Sequence, residues 1–313
     1  MPGTTVLAGG VGAARLLRGL VEVQPPAHVT AVVNTGDDLV LHGLEISPDL
    51  DTVLYTLADA VSPDTGWGLV GETWRAMDAL GRYGGQTWFR LGDADLATHL
   101  YRTQRRREGA ALSQVTAELA AAWGVGVGLL PATDDRVATR LTLAEDGQEI
   151  AFQDYFVARR HEVAVSAVRF DGADAARPGP GVLAALGGAD AVVIAPSNPI
   201  VSIAPILAIP GIRAAVEARR DDVVAVSPIV AGAALKGPAD RLMAELGHEP
   251  SVVGIARIYA PMAATLVVDD ADAHLAPAVE AEGVRCVVAP TIMSTRAAAA
   301  ALGRIVVASP RAA

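Results

Sequence analysis

The opening "TTVLAGGVGAARLL" constrains the fold more than any other stretch: an apolar run ends in a glycine turn, a helix pattern follows, and a second apolar run, "VTAVVN", comes next. Residues 4–8 read as a strand, 9–12 as the turn, 13–23 as an amphipathic helix and 29–34 as a second strand. Strand, helix and strand in that order close as a right-handed βαβ unit with parallel strands. A parallel sheet must be covered on both faces, so the rest of the chain has to supply helices and further buried strands.

The composition allows this. The chain has 313 residues, long enough for one large α/β domain or two ordinary ones, and it is 51% hydrophobic but only 4% aromatic. Its core must therefore be built from Ala, Val, Leu and Ile. From residue 189 onward the alternation is regular: strand 190–195, helix near 199–209, strand 222–226, helix 237–247, strands 264–268 and 284–288, helix 295–307. Between 66 and 184 it loosens into helical patterns at 71–80, 93–107 and 113–123. Two strand-like runs follow, "RVATRLTL" and "QEIAFQDYFV", split by the turn "AEDGQ". The expected fold is α/β and Rossmann-like, a mostly parallel sheet with helices on both faces. Residues 1–65 and 185–313 form the core domain, 66–184 an inserted, mainly helical lobe, and "DGADAARPGPG" at 171–181 an exposed linker.

Acids exceed bases by 35 to 25, a formal charge of −10 that repels nucleic acid and anionic membrane. Arg105, Arg106 and Arg107 form the one basic run and read as a solvated helix face. Of 25 basic residues only Lys236 is a lysine. Cys286 stands alone in an apolar run, which excludes an internal disulfide and reads as a buried, inert thiol. No charged segment precedes the first apolar stretch as in a signal peptide. Residues 191–212 carry no charge, but Pro196, Pro199, Pro205 and Pro210 argue against a membrane helix. A soluble cytoplasmic protein without nucleic-acid or membrane partners is the expectation.

"LAGGVGAARLL" places backbone N–H groups and a helix N-terminus where they could hold phosphate, although an ordinary βα turn needs small residues too. The dinucleotide-binding pattern would want glycine where Arg15 stands and an acid where Asn34 ends the second strand; the P-loop pattern would want Gly-Lys-Ser/Thr. Neither is met. What remains is an anion-binding turn with a cation, Arg15, one helical turn inside it.

Asp37 and Asp38 follow the second strand at the sheet edge where open α/β sheets bind ligands. Ser47 reads as an N-cap with Pro48 at the first helical position, so Asp49 and Asp51 fall in that helix's first turn, where the macrodipole alone would favour them. Four acids at one rim beside a phosphate turn would repel each other and the phosphate unless a divalent cation bridged them, and oxygen-only ligands suit magnesium. The six histidines show no zinc spacing, and His99 reads as a polar-face or capping residue. No Gly-x-Ser-x-Gly elbow is present. Ser197 and Asn198 end one strand and Ser227, followed by Lys236, ends another, as in a nucleotide rim or in ordinary βα loops.

Assembled, "GGVGAARLL", "VVNTGDD", "SPDLDTVLYTLAD", "LGDADLATHLYRT", "TDDRVATRL", "FQDYFVARR", "APSNPIVSIAPIL" and "SPIVAGAALKGPADRLM" resemble the 2-phospho-L-lactate transferase family of coenzyme F-420 biosynthesis, whose actinobacterial members are phosphoenolpyruvate transferases. Arg15 departs from the lysine of archaeal members, keeping charge and gaining bidentate geometry. Related gluconeogenesis-factor-like proteins, non-catalytic nucleotide-sugar binders, continue the Asp-Asp turn with Gly-Gly-Ser-Ser-Gly. Here "LVLHGLEISPDLDT" follows instead. The resemblance implies that the terminal ribityl hydroxyl of the deazaflavin Fo attacks a guanosine-diphosphate-activated acid, enolpyruvoyl or lactyl, with GMP leaving. It implies magnesium on Asp37 and Asp49, and Asp37, Asp38 and Asp51 in catalysis, Asp51 at the Fo hydroxyls. It further implies Gly10, Gly12 and Arg15 at donor phosphate, Ser197, Asn198, Ser227 and Lys236 on the guanosine side, Asn34 and Arg90 in substrate binding, and a homodimer.

Overall fold

A computed structural model describes residues 3–309. The opening unit forms as expected, with β1 (Thr4–Ala8), α1 (Gly10–Leu20) and β2 (Val29–Val33). An unanticipated hairpin follows, β3 (Leu39–Leu41) and β4 (Leu44–Ile46), turning on His42 and Gly43 at φ 54° and 74°. Two left-handed turn residues match the twist of the flanking strands, and "HG" between two short apolar runs was the available signal.

Next come α2 (Pro48–Leu57), α3 (Arg75–Arg82), α4 (Asp95–Arg107) and α5 (Leu112–Ala122). β5 (Gly128–Pro131) precedes an antiparallel sheet of β6 (Ala138–Leu143), β7 (Glu149–Ala151) and β8 (Val165–Asp171), with β6 central. The strand expected through "QEIAFQDYFV" stops at Ala151; Asp154–Ala158 is a wide helical turn instead. The expected linker at 171–181 is largely exposed, although Ala173, Ala176 and Gly179 are buried and the Gly179 N–H donates to the Ala132 carbonyl.

The remaining elements are α6 (Val182–Gly188), β9 (Ala191–Ile194), α7 (Ala204–Ala208), α8 (Ile212–Glu217), β10 (Val223–Val226), β11 (Ile229–Val230) and β12 (Ala233–Ala234). α9 (Ala239–Glu245), α10 (Val252–Tyr259), β13 (Thr265–Val268), α11 (Ala276–Ala281), β14 (Arg285–Val288) and α12 (Arg296–Ala308) complete the chain.

Seven strands form one parallel sheet in the order β14-β13-β10-β9-β1-β2-β5. β5 comes from within 66–184, so that segment contributes one of the sheet's two edge strands as well as a lobe. Strand period sorts the core. Leu7, Val32, Val192 and Ala225 face one layer, made by α6 to α11 and the antiparallel sheet. Val6, Ala31, Val193 and Val224 face the other, made by α1, α2, α5 and α12. Each Val or Leu so buried contributes about 1.5–3 kcal/mol. Small residues permit close layers: a Cβ on Gly19 would stand 2.2 Å from the Ala299 carbonyl oxygen, where α1 crosses α12.

From β1 the chain order runs outward in both directions, through β2 to β5 and through β9 to β14. The carboxyl ends of β1 and β9 are thus the switch point at which open α/β sheets form a ligand crevice.

Candidate active site

Gly9 to Gly12 leave β1 at this switch point, opposite Pro196 to Asn198 leaving β9. Ser197 donates its hydroxyl to the Gly9 carbonyl at 2.7 Å, stitching the two loops together. Gly12 is needed for packing: a Cβ there would lie 2.3 Å from the Pro196 carbonyl oxygen. Gly10 starts α1 at φ 70°, a left-handed value that costs any L side chain.

Asp49 meets this turn. Its carboxylate accepts the Gly10 N–H at 2.8 Å and the Asn34 side-chain N–H at 2.9 Å, while Asn34 Oδ1 accepts the Gly36 N–H at 2.8 Å. Ser47 occupies the N-cap position of α2 as expected, but its hydroxyl does not cap; it donates to Asp38 Oδ2 at 2.7 Å. The Asp37–Asp38 turn is held from the lobe, by the Thr139 N–H to the Gly36 carbonyl at 2.8 Å and by Gln153 Nε2 to the Asp37 carbonyl at 3.3 Å.

Burial raises the pKa of Asp37 well above the usual carboxylate value, and the nearby Asp49 charge raises it further. Burial also raises Asp38 well above its usual value against its bond from Ser47, and pushes Asp49 up to about 6 against its bonds from Asn34 and Gly10. Asp37 Oδ1 and Asp38 Oδ1 are buried without a hydrogen-bond partner. Among the described residues no three His, Cys, Asp or Glu side chains enclose a metal ion. The buried carboxylate of Asp37, with its unpartnered oxygen, beside that of Asp49 nevertheless fits magnesium, which usually takes one or two carboxylates and completes its shell with water and substrate phosphate.

Asp51 points the other way. Arg102 of α4 holds both its oxygens and also reaches the Glu45 carbonyl at 3.3 Å. His99, expected on a polar face, is buried beside this pair, Nδ1 3.7 Å from Asp51 and Nε2 3.2 Å from Asp95. The Tyr55 hydroxyl donates to Asp95 at 2.5 Å. Burial opposes the charge on Arg102, but the Asp51 carboxylate outweighs it and raises the guanidinium pKa. Sequence reading missed Arg102 because "HLYRT" resembles any solvated helix. α4 in fact buries Thr98, His99, Arg102 and Thr103 and exposes Leu100 (57%) and Tyr101 (41%). A polar stripe at helical spacing was the signal.

Arg15 and Lys236 come together from α1 and from the loop after β12. A Cβ on Gly66 would find Lys236 Nζ at 3.2 Å and an Arg15 guanidinium nitrogen at 3.8 Å. Lys236 donates to the Thr65 carbonyl at 3.0 Å, and burial followed by the Arg15 charge lowers its pKa. No carboxylate pairs with either among the described residues.

The other expected positions lie differently. Asn198 Oδ1 accepts the Ile200 N–H at 2.9 Å, and Ser227 bonds within its own turn to Ile229. Arg90 is exposed and stacks on Trp74, 4.2 Å from the ring centroid, outside the cleft described next. Arg105 and Arg106 pair with Glu118, Glu108 and Glu45, and Cys286 is half-buried. A cleft of about 530 Å³ is walled by the β3–β4 hairpin, Trp88, β6 and Phe152, and Asp37 and Asp38 line it too.

A family model described as 2-phospho-L-lactate transferase CofD matches residues 4–296. A phosphoenolpyruvate transferase of Streptomyces griseus is 46% identical over 303 residues, covering 96% of this chain and 95% of that protein. One from Mycolicibacterium smegmatis is 44% identical over 314 residues, covering 96% of each. Solved structures of a Bacillus halodurans protein, described in one case as a member of the UPF0052 family, align with TM-scores of 0.64 and 0.61 at 17% and 18% identity. They cover 98% of this chain and 99% and 98% of theirs, and at that identity the likeness speaks for the fold alone.

Proposed function

The chain belongs to the 2-phospho-L-lactate transferase CofD family, and from that premise we propose that it is a phosphoenolpyruvate transferase of coenzyme F-420 biosynthesis. It joins an enolpyruvoyl phosphate, or the corresponding 2-phospholactate, from its guanosine-diphosphate-activated form to the ribityl hydroxyl of Fo. The relatives named phosphoenolpyruvate transferase support the enolpyruvoyl donor. One observation carries the reading: two buried carboxylates with an unpartnered oxygen each line a ring-sized cleft, and their neighbour Asp49 holds the turn that opens α1, whose next turn carries Arg15 toward Lys236.

In this reading the deazaflavin ring enters the cleft against Trp88 and Phe152, its ribityl chain directed at Asp38. Asp38, fixed through Oδ2 by Ser47, has Oδ1 free to accept the proton of the terminal hydroxyl as the new O–P bond forms and the bond to GMP breaks. Arg15 and Lys236 bind the donor's phosphate oxygens and orient them for in-line attack. Asp37 and Asp49 would hold magnesium, which when bound neutralises charge on the bridging phosphates. Asn34 and the Gly10 N–H keep Asp49 oriented, as outer partners of metal-binding carboxylates do.

The test is to incubate the protein with Fo, magnesium and each activated donor, then seek the coupled product and GMP by mass spectrometry. Coupling with the enolpyruvoyl donor is expected. No coupling with either donor, together with tight binding of a nucleotide sugar, would replace the transferase with a non-catalytic regulator.

A further inference from the structure

Asp49 and Asp51 stand two residues apart in the first turn of α2, and helical geometry turns them to different sides. Asp49 faces the core, bound to Gly10 and Asn34. Asp51 faces the lobe, both oxygens taken by Arg102, which is 2% exposed and bonded to the Glu45 carbonyl of β4 as well. The first turn of α2 is therefore strung between lobe and core, with one carboxylate anchored at each end.

Packing does not account for this arrangement. A buried guanidinium–carboxylate pair is usually no more stabilising than apolar residues of the same volume. Yet α4 turns four polar residues inward and leaves Leu100 and Tyr101 in solvent, the reverse of the usual pattern. Asp38 and Asp95 also lie near enough to feel the Arg102 charge, yet the guanidinium is committed to Asp51, the acid in the first turn of α2 that points away from the α1 turn.

Resting on the transferase reading above, we propose that Arg102 is a positioning residue: by clamping Asp51 it fixes the first turn of α2 and so aims the Asp49 carboxylate at the Gly10 turn. Asp51 is then an anchor rather than a ligand for substrate hydroxyls. The lobe, through α4, sets the geometry of a carboxylate it never touches.

The experiment compares Arg102→Met, Arg102→Lys, Asp51→Asn and the double variant Arg102→Met/Asp51→Asn in the full chain. Two readouts are taken: steady-state kinetics with Fo, donor and magnesium, and the backbone amide resonance of Gly10 without substrates. Losing an outer-shell partner of this kind costs about 10- to 100-fold in activity, so Arg102→Met should lower kcat by that factor with both KM values unchanged and should shift the Gly10 amide. Arg102→Lys, which keeps charge but only one of two bonds, should recover part of both. The double variant should be no worse than either single one, since all three break the same clamp. Wild-type kcat and an unmoved Gly10 amide in a folded variant would overturn the proposal, as would a loss confined to KM. If Arg102→Met does not fold, the near-isosteric Asp51→Asn decides on the same readouts. An inactive wild-type protein would refute the transferase reading, while the Gly10 amide would still decide the clamp.

Discussion

The carboxylate of Asp49 receives the Gly10 backbone N–H at 2.8 Å, so the acid of one helix serves as the side-chain anchor for the first turn of another. Asn34 holds the same carboxylate from the end of β2 at 2.9 Å. Three chain segments, the start of α1, the end of β2 and the first turn of α2, thus meet on a single side chain. The proposed mechanism requires that acid to be charged and aimed.

Removing the neighbouring acid tests the charge. Asp37 lies buried with an unpartnered oxygen close to Asp49, so Asp37→Asn removes a repulsion as well as a proposed metal ligand. Turnover with magnesium should fall by about 100-fold or more, while the thermal midpoint of the ligand-free protein stays level or rises. Retained magnesium-dependent activity would misplace the metal site.

Acidity tests it a second way. Asp49 titrates at about 6 in the folded chain, above the ordinary carboxylate value, because burial disfavours its charged form. Between the unfolded and folded values the native state holds the extra proton, so this group's stabilising effect is present below the unfolded value and is lost as pH rises through about 6. Thermal midpoints in chelator should therefore climb as pH falls from neutral toward 5, and this slope should shrink in Asp49→Asn. Equal slopes in the two proteins would contradict the assignment.

The cation pair predicts a separable defect. Charge-assisted hydrogen bonds contribute about 1.5–3 kcal/mol, so Lys236→Ala or Arg15→Met should raise the donor KM about 10- to 100-fold. The acceptor KM should not change. Losing either cation should also flatten the salt dependence of donor binding, measurable by calorimetry at several ionic strengths. A defect confined to Fo would reverse the two subsites.

The cleft wall predicts the complementary result. Trp88 and Phe152 border the cleft, and stacking of an aromatic ring on such a side chain contributes about 1–3 kcal/mol. Trp88→Ala should weaken Fo binding accordingly in a fluorescence titration and leave donor binding intact. Unaltered Fo affinity would place the ring elsewhere.

Gly12 predicts a cost in stability. A methyl group there collides with the Pro196 carbonyl oxygen at 2.3 Å, and overpacking of this kind costs about 1–3 kcal/mol. Gly12→Ala should lower the urea midpoint by a matching amount. An unchanged midpoint would mean that the β1 and β9 loops have room to separate.

The amino-acid sequence by itself was enough for the parallel sheet. Strands expected at 190–195, 222–226, 264–268 and 284–288 appear as Ala191–Ile194, Val223–Val226, Thr265–Val268 and Arg285–Val288, the first three because an apolar, Val-rich run buried on both faces has few other ways to fold. The acids of "NTGDD" and "PDLD" were legible for a similar reason: each sits where a strand or helix ends, and local pattern marks such ends. Tertiary structure alone decided how those acids are divided. That Asp49 turns to Gly10 while Asp51 turns to Arg102, that Ser47 serves Asp38 rather than capping its helix, and that α4 packs by its polar face all depend on partners tens of residues away. Hydrophobic periodicity reports which side of a helix avoids water, and it is silent about a side buried through charge pairing, whose partner exists only once the chain has folded.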